Sequence, residues 1–260
     1  MNLTGTVFAG GPSLAQLAPS YFSGAVQWLD TTGGGSNANA GTTPELPVAT
    51  FAQAVTNSAA NGVIVIGAGS QEALGSSQAL SLAGLMVIGC GTGSARPRYT
   101  CSGAVDMFSV SAAGVRFRNL YFPASTGVST SRIAFAAASG RVKDCYFECG
   151  ASDTVRALKV HTGANNTIIS GTTFATTASR PAIGCEFSAA ATDCELKDCI
   201  FDGGSFGWSD YALKITVAAT RLTLENVSML RRSDYSSVTA TTYQLFGLSS
   251  DGTNRVVIAA

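Results

Sequence analysis

The sequence predicts an all-β solenoid, a parallel β-helix, and three observations carry that expectation. A six-residue motif recurs five times: Phe117-Arg118-Asn119-Leu120-Tyr121-Phe122, Val142-Lys143-Asp144-Cys145-Tyr146-Phe147, Ile169-Ser170-Gly171-Thr172-Thr173-Phe174, Leu196-Lys197-Asp198-Cys199-Ile200-Phe201 and Leu224-Glu225-Asn226-Val227-Ser228-Met229. Its third position falls at 119, 144, 171, 198 and 226, in steps of 25, 27, 27 and 28 residues. A period of that size with short apolar strands is the signature of stacked repeats. The third observation is the chemistry of the third position, which takes only Asn, Asp or Gly. These residues tolerate the left-handed αL conformation, glycine because it has no Cβ.

The residues around this pivot alternate as strands must. Two positions before it stand Phe117, Val142, Ile169, Leu196 and Leu224; between come Arg118, Lys143, Ser170, Lys197 and Glu225. Apolar therefore points in and polar out, with period two. After the pivot, Leu120, Cys145, Thr172, Cys199 and Val227, then the Phe/Met position, point in again. A further strand is expected before each motif, at 107–111, 133–137, 158–161, 183–188 and 213–217, with a final partial copy at 243–248. Three strands per turn and six to seven rungs at about 4.8 Å each give a rod on the order of 30 Å long.

The N-terminal region is organised differently. Residues 1–24 carry no charge and place Phe8, Leu14, Leu17, Tyr21 and Phe22 among small polar residues. Disordered tails are usually charged, so this segment reads as an extended arm that either docks on a partner or packs along its own body. It lacks the basic and apolar regions of a secretory signal, and export through a cleaved leader is not expected. The division that follows is a 1–24 docking arm and a 25–260 β-helix domain. Within the latter, 25–69 supplies an entry strand at 26–30 and a capping helix over 50–60. Thr50 is the expected N-cap, Phe51, Val55 and Ala59 the apolar spacing, and Gly62 the stop.

Composition sets limits on function. The chain has 260 residues, is 46% hydrophobic and only 12% charged, and has zero net charge. That gives no electrostatic drive toward nucleic acid or an anionic membrane. No apolar run reaches the roughly 18 residues of a membrane span. The seven cysteines read as small buried thiols in a stack. Cys145 and Cys199 share one inward position two rungs apart, about 10 Å and too far for a disulfide. Reduced thiols suit folding in a cytoplasm. One histidine leaves no metal knuckle, and no cofactor is expected.

The order Trp28-Leu29-Asp30, Gly41-Thr42, Pro47 and Thr50 before a helix, then Gly62-Val63-Ile64-Val65-Ile66 and Gly67-Ala68-Gly69, resembles the entry of right-handed parallel β-helices of the pectin-lyase-like superfamily. The resemblance covers residues 26–260. The pivot at Asn119, Asp144, Gly171, Asp198 and Asn226 resembles that family's asparagine ladder. The resemblance implies a right-handed coil whose helix plugs the first rung. It implies less about activity, because the scaffold carries lyases, hydrolases, phage tailspikes and structural rods. The far end has no visible plug, and either another subunit or a fold-back of the 230–242 loop would cover it.

The family's enzymes work on the outer face of the first strand of each rung. Here that face would hold Lys159, His161, Glu186 and Lys214, with Ser188 and Thr216. Lys159, Glu186 and Lys214 stack as an opposite-charge ladder or, on the enzyme alternative, as an acid–base cluster. A glycosidase needs two facing carboxyl groups, and Glu186 is the one expected there. The adjacent aspartates, Gly-His-Gly and calcium-binding acidic clusters of the family's enzymes have no counterpart, so no catalytic residue and no metal site is assigned. Asp144 and Asp198 sit at corners where a conformational role suffices. Arg116, Arg118, Arg141 and Lys143 form a basic patch suited, with Glu148 and Glu195 nearby, to contact with a partner or another subunit.

These readings converge on a non-enzymatic virion component. By resemblance to β-helical phage proteins, the expectation is a capsid decoration protein or short head fibre of a tailed phage. It would be a homotrimer, folded in the host cytoplasm before assembly and docked on a major capsid protein or another virion protein through the arm. The alternatives are a polysaccharide lyase or hydrolase like a small tailspike depolymerase, or a carbohydrate-binding module for a host surface glycan. The module would show exposed aromatics, for which Trp208, Tyr211, Tyr235 and Tyr243 are candidates.

Overall fold

Three apolar strands per turn, separated by residues that bend the backbone, close each turn over the one below. In one rung the strands are Arg141–Lys143, Tyr146–Cys149 and Thr154–Val160. Each pairs in parallel with its equivalents on both sides. Val142 lies between Phe117 and Ile169, Phe147 between Phe122 and Phe174, and Leu158 between Ile133 and Cys185. The result is a right-handed parallel β-helix, the sense that parallel crossovers take. The structure, a computed structural model, describes residues 25–101, 105–124, 129–150, 154–177, 183–188, 191–204, 208, 211–215, 220–230, 236–239, 242–246, 249–250 and 256–259. The arm at 1–24 lies outside them.

Among the described residues the three sheets hold nine, eight and eight strands, deeper than the expected six to seven rungs. The first sheet contains Arg141–Lys143, the second Tyr146–Cys149 and the third Thr154–Val160. The early rungs lack the one-residue pivot. They turn through longer corners in which Gly69 and Gly91 take positive φ (77° and 87°).

From the third rung on, the pivot is single. Asn119, Asp144, Gly171, Asp198 and Asn226 all lie in αL, with φ of 56°, 55°, 58°, 51° and 50°. There the backbone N–H points along the rod to the next rung. Asn119 N donates to Lys143 O at 3.0 Å, Asp144 N to Ser170 O at 3.1 Å, and Asp198 N to Glu225 O at 3.0 Å. The Asn119 side chain joins the two kinds of corner, donating from Nδ2 to Gly89 O and Gly91 O at 2.8 Å each.

A second αL ladder lies between the third and first sheets: Asn61, Gly84, Gly114, Ser139, Asn166, Asp193 and Arg221. It makes the same inter-rung bonds, for example Ser139 N to Asn165 O at 2.7 Å and Asn166 N to Thr192 O at 2.9 Å. Serine and arginine among its members hide it from a search for Asn, Asp and Gly.

The interior follows from the register. Phe122, Phe147, Phe174 and Phe201 stack face to face, with centroids 4.6, 5.1 and 4.7 Å apart and planes within 6°. Met229 continues the column. The strands of the third sheet begin earlier than expected, at Asp106–Val110, Ser129–Phe135, Thr154–Val160 and Tyr211–Ile215, whereas Ile183–Phe187 begins as expected. Two consecutive residues are buried in each, such as Met107–Phe108 and Ala157–Leu158, which breaks the period of two that sequence reading relies on. At that extra position Arg132 is fully buried, donating to Pro123 O and, at 3.1 Å, to Glu148 O.

The entry strand Val26–Leu29 pairs with Val63–Ile66. The helix is shorter than expected, Phe51–Asn57, with Thr50 Oγ1 accepting from Gln53 N at 3.3 Å. It ends where Ser58 turns extended, not at Gly62. A Cβ on Gly62 would lie 2.8 Å from Ala59 O, so that glycine serves a close approach at the strand entrance. Phe51 plugs the first rung, its ring 5.7 Å from Tyr99 and 4.9 Å from Phe108. Outside the interior, Trp28, Val63, Val65, Ile88 and Cys90 form a separate buried cluster.

At the far end, Ser236–Thr239 pairs as a strand of the third sheet, so the described part of the 230–242 segment adds a rung and does not fold back as a lid. Thr242–Phe246 belongs to the first sheet, pairing with Thr220–Glu225, and corrects the partial copy placed at 243–248 in the preceding-strand position.

Replacing Asn119 by Val forces a β-branched residue into αL, at a cost of about 1–2 kcal/mol before its lost hydrogen bonds are counted. Asn119→Gly keeps the backbone conformation. Urea unfolding should rank wild type above Asn119→Gly and Asn119→Gly above Asn119→Val. A valine variant as stable as wild type would remove the conformational role of the pivot.

Candidate functional site

The outer face of the third sheet carries two rows of side chains. Asp106, Ser131, Arg156, Ile183 and Tyr211 are aligned in one row. Ser109, Ala134, Lys159, Glu186 and Lys214 are aligned in the other. The expected vertical stack of Lys159, Glu186 and Lys214 is thus present in register.

The ion pairing differs from that expectation. Glu186 is 5% exposed, and its carboxylate takes the Nε–H of Arg156 from the neighbouring row. Among the described residues Lys159 has no carboxylate within ion-pair distance; burial, reinforced by Arg156, lowers its pKa, with Asp106 opposing. Burial and then Lys159 also lower that of His161, which keeps the imidazole neutral at neutral pH. Lys214 Nζ lies 6.0 Å from the Tyr211 ring centroid.

Chemically, the described residues of this face offer cations, a neutral imidazole and two carboxylates, of which Glu186 is committed to Arg156. The other carboxylate among the described residues of this face, Asp106, accepts from Ser131 Oγ at 2.5 Å. It lies three rungs from Glu186, about 14 Å along the rod at the usual strand spacing. Paired-carboxylate hydrolysis needs roughly 5–10 Å. Among the described residues no group of three or more His, Cys, Asp or Glu is arranged to hold a metal ion.

The remaining sequence candidates are dispersed. The side chains of the pivot ladder form local contacts: Arg118 Nε is 3.5 Å from Asp144 Oδ2, and Asn226 Nδ2 donates to Asp198 Oδ1 at 2.7 Å. The basic patch is real in register, Arg141 on Arg116 and Lys143 on Arg118. Glu195 instead pairs with Lys197 at 3.2 Å, and Lys197 also reaches Glu225 at 3.3 Å. Trp208 is not an exposed aromatic. It is 3% exposed and packs edge-on against Phe201, with centroids 6.5 Å apart. Tyr211 faces outward, Tyr243 falls in the strand Thr242–Phe246, and Tyr235 lies outside the described residues, as do Phe8, Leu14, Leu17, Tyr21 and Phe22. Sequence reading passed over Tyr121 and Tyr146, whose rings meet outside the second sheet at 5.5 Å. They stand at the fifth position of the motif itself.

The seven cysteines are buried and form no disulfide. Burial pushes Cys145 and Cys199 up to about 12, and Cys90 and Cys194 up to about 11. No described helix is long and apolar enough to cross a membrane.

No protein-family model matches the sequence, and no curated protein matches it. A solved structure described as a rhamnogalacturonan lyase superposes with a TM-score of 0.51 at 11% identity, over 81% of this chain and 70% of that chain. At that identity the likeness shows the fold alone, a parallel β-helix.

The thiols give the protein an alkaline limit. The folded pKa values of Cys90, Cys145, Cys194 and Cys199 lie above the ordinary 9.0. Their contribution to stability is therefore full below pH 9 and lost as pH rises toward 11–12, by at most about 1.4 kcal/mol per thiol per pH unit. The urea midpoint should fall between pH 8 and pH 10. A disulfide-exchange reagent should reach the seven thiols only after unfolding; rapid reaction in the native state would contradict their burial.

Proposed function

We propose that the chain is a non-enzymatic structural rod of a tailed-phage virion, a capsid decoration protein or short head fibre that docks through residues 1–24. The observation that carries the reading is the state of Glu186, buried and tied to Arg156 on the face where a β-helical enzyme would place its chemistry. An acid or base so engaged stabilises the rod and is withheld from a substrate. The uncharged arm supplies the docking element. Burying four of its large apolar side chains contributes roughly 6–12 kcal/mol. Ordering two dozen residues costs about 1–2 kcal/mol each, so the arm needs a surface larger than one thin rod offers. A homotrimer would supply part of that surface, and a capsid the rest. Buried reduced thiols accord with folding in a host cytoplasm before assembly.

A polysaccharide lyase is the second reading, favoured by Lys159 and the neutral His161 on the same face. Two experiments separate them. Deleting residues 1–24 should leave the β-sheet circular dichroism intact and abolish attachment to particles. Full occupancy by the truncated protein would remove the arm as anchor. Incubation with bacterial capsule or lipopolysaccharide should release neither reducing ends nor unsaturated uronates. Release that is lost in Lys159→Ala or Glu186→Gln would replace the structural reading with the enzymatic one.

A further inference from the structure

The outer face of the first sheet changes character along the rod. Register aligns Val26, Val63, Met86, Arg116 and Arg141 in one outward column. It aligns Trp28, Val65, Ile88, Arg118 and Lys143 in the other. For three rungs both columns are apolar, and in the next two rungs they are cationic. The apolar part is buried although it faces away from the interior. Val63 and Val65 are each 1% exposed, and Trp28, Ile88 and Cys90 belong to the same buried cluster, with Val26 and Met86 only partly covered.

A sheet face that meets water is polar, and a strand buried on both faces reads as a continuous apolar run, as Val63-Ile64-Val65-Ile66 does. The outward patch therefore lies beneath a further layer of chain. At one end the 41–48 loop contributes to that layer. Gly41 O accepts from Trp28 N at 2.6 Å, and Pro44 and Pro47 border a cavity of about 260 Å³ with Trp28, Ala68 and Cys90. The cavity is smaller than small-ligand sites and has room for one large side chain. The other end lies at Val26 and Met86. There Ala25 O accepts from Val63 N at 3.1 Å, which pins the point where residues 1–24 join the rod to the edge of the patch. That segment is uncharged and carries Leu17, Tyr21 and Phe22 within its last eight residues. At up to about 3.5 Å per residue, Tyr21 can reach roughly 18 Å from Val26, whereas the three apolar rungs span only about 10 Å.

We propose that residues 17–24 pack on this face of their own chain, with Leu17, Tyr21 and Phe22 over the apolar columns. The root of the arm is then fixed to the rod, and residues 1–16, with Phe8 and Leu14, are left for a partner. The patch ends where Arg116 and Arg118 begin, and an uncharged segment covers it without burying a charge of its own. The seat does not rest on the virion reading: it belongs to the single chain and is read on the isolated protein, whereas docking is read as particle occupancy.

The test uses the full-length protein and the two reporters that the patch contains, Trp28 and Cys90. Tyr21→Ser combined with Phe22→Ser should red-shift the tryptophan emission. It should also make Cys90 react with a disulfide-exchange reagent about tenfold faster or more. The other six thiols, distinguished by peptide mapping, should stay protected. Trp208, packed on Phe201, adds a constant background to the emission. Tyr21→Phe combined with Phe22→Leu, which keeps the apolar contact, should leave both reporters buried, and so should Phe8→Ser. Dilution of the wild type, which would release a segment contributed by another copy, should change neither. Unchanged Trp28 emission and Cys90 reactivity in the double serine variant would overturn the proposal. So would exposure of either reporter by Phe8→Ser or by dilution.

Discussion

Parallel pairing in register governs this molecule: in the paired strands a residue sits on its equivalent one rung away, about 4.8 Å along the rod. What suits one rung must therefore suit its own copy. A phenylalanine that fills the interior at Phe122 meets Phe147, then Phe174, then Phe201, and flat rings can stack at that spacing. A corner that needs αL needs it every turn, which is why the pivot and its counterpart across the rod form continuous ladders. The inter-rung hydrogen bonds from those corners extend the sheets around the bends, so few backbone groups are left to water where the chain turns.

The same rule is less kind to charge, because like charges directly opposite are destabilising. The chain answers it differently on each face. On the first sheet Arg116 faces Arg141 and Arg118 faces Lys143, with Asp144 at the corner beside Arg118. Further along, Lys197 bridges Glu195 and Glu225. On the third sheet Glu186 lies between Lys159 and Lys214 in register and is claimed diagonally by Arg156. On the second sheet the rings of Tyr121 and Tyr146 take the place of that alternation, with the Arg98 guanidinium 5.1 Å from the Tyr121 centroid.

How much of this the sequence disclosed follows from how each feature is encoded. The pivot was legible because αL restricts residue type at one position with a fixed period. The plug was legible through Thr50 and the apolar Phe51. The second corner was not, because Ser139 and Arg221 adopt αL under the hold of neighbouring rungs and against their own preference. The first rungs escaped because Gly69 and Gly91 turn them by another route. Arg132 escaped because a buried arginine satisfied by Pro123 O and Glu148 O looks, in sequence, like one more polar residue of a strand. The tyrosine pair was in plain sight within the repeat, but adjacency of Tyr121 and Tyr146 exists only once the rungs are stacked. Trp208 misled for the converse reason, since a large aromatic in a loop-like segment turned inward onto Phe201.

Rung spacing also bears on what chemistry such a rod can host. Two carboxylates on successive rungs would stand about 5 Å apart, close to the separation at which paired carboxyl groups cleave glycosides by the retaining route. A β-helix thus needs only one repeated acidic position to assemble such a pair. In this chain the register neighbours of Glu186 on both sides are lysines. That pattern places a cation one rung away on either side of Glu186, whose carboxylate is engaged by Arg156. Repetition has instead been retained where it carries no electrostatic cost, in the tyrosines of the second sheet. A ring repeated at the strand spacing makes a flat aromatic platform, as Tyr121 and Tyr146 do with centroids 5.5 Å apart.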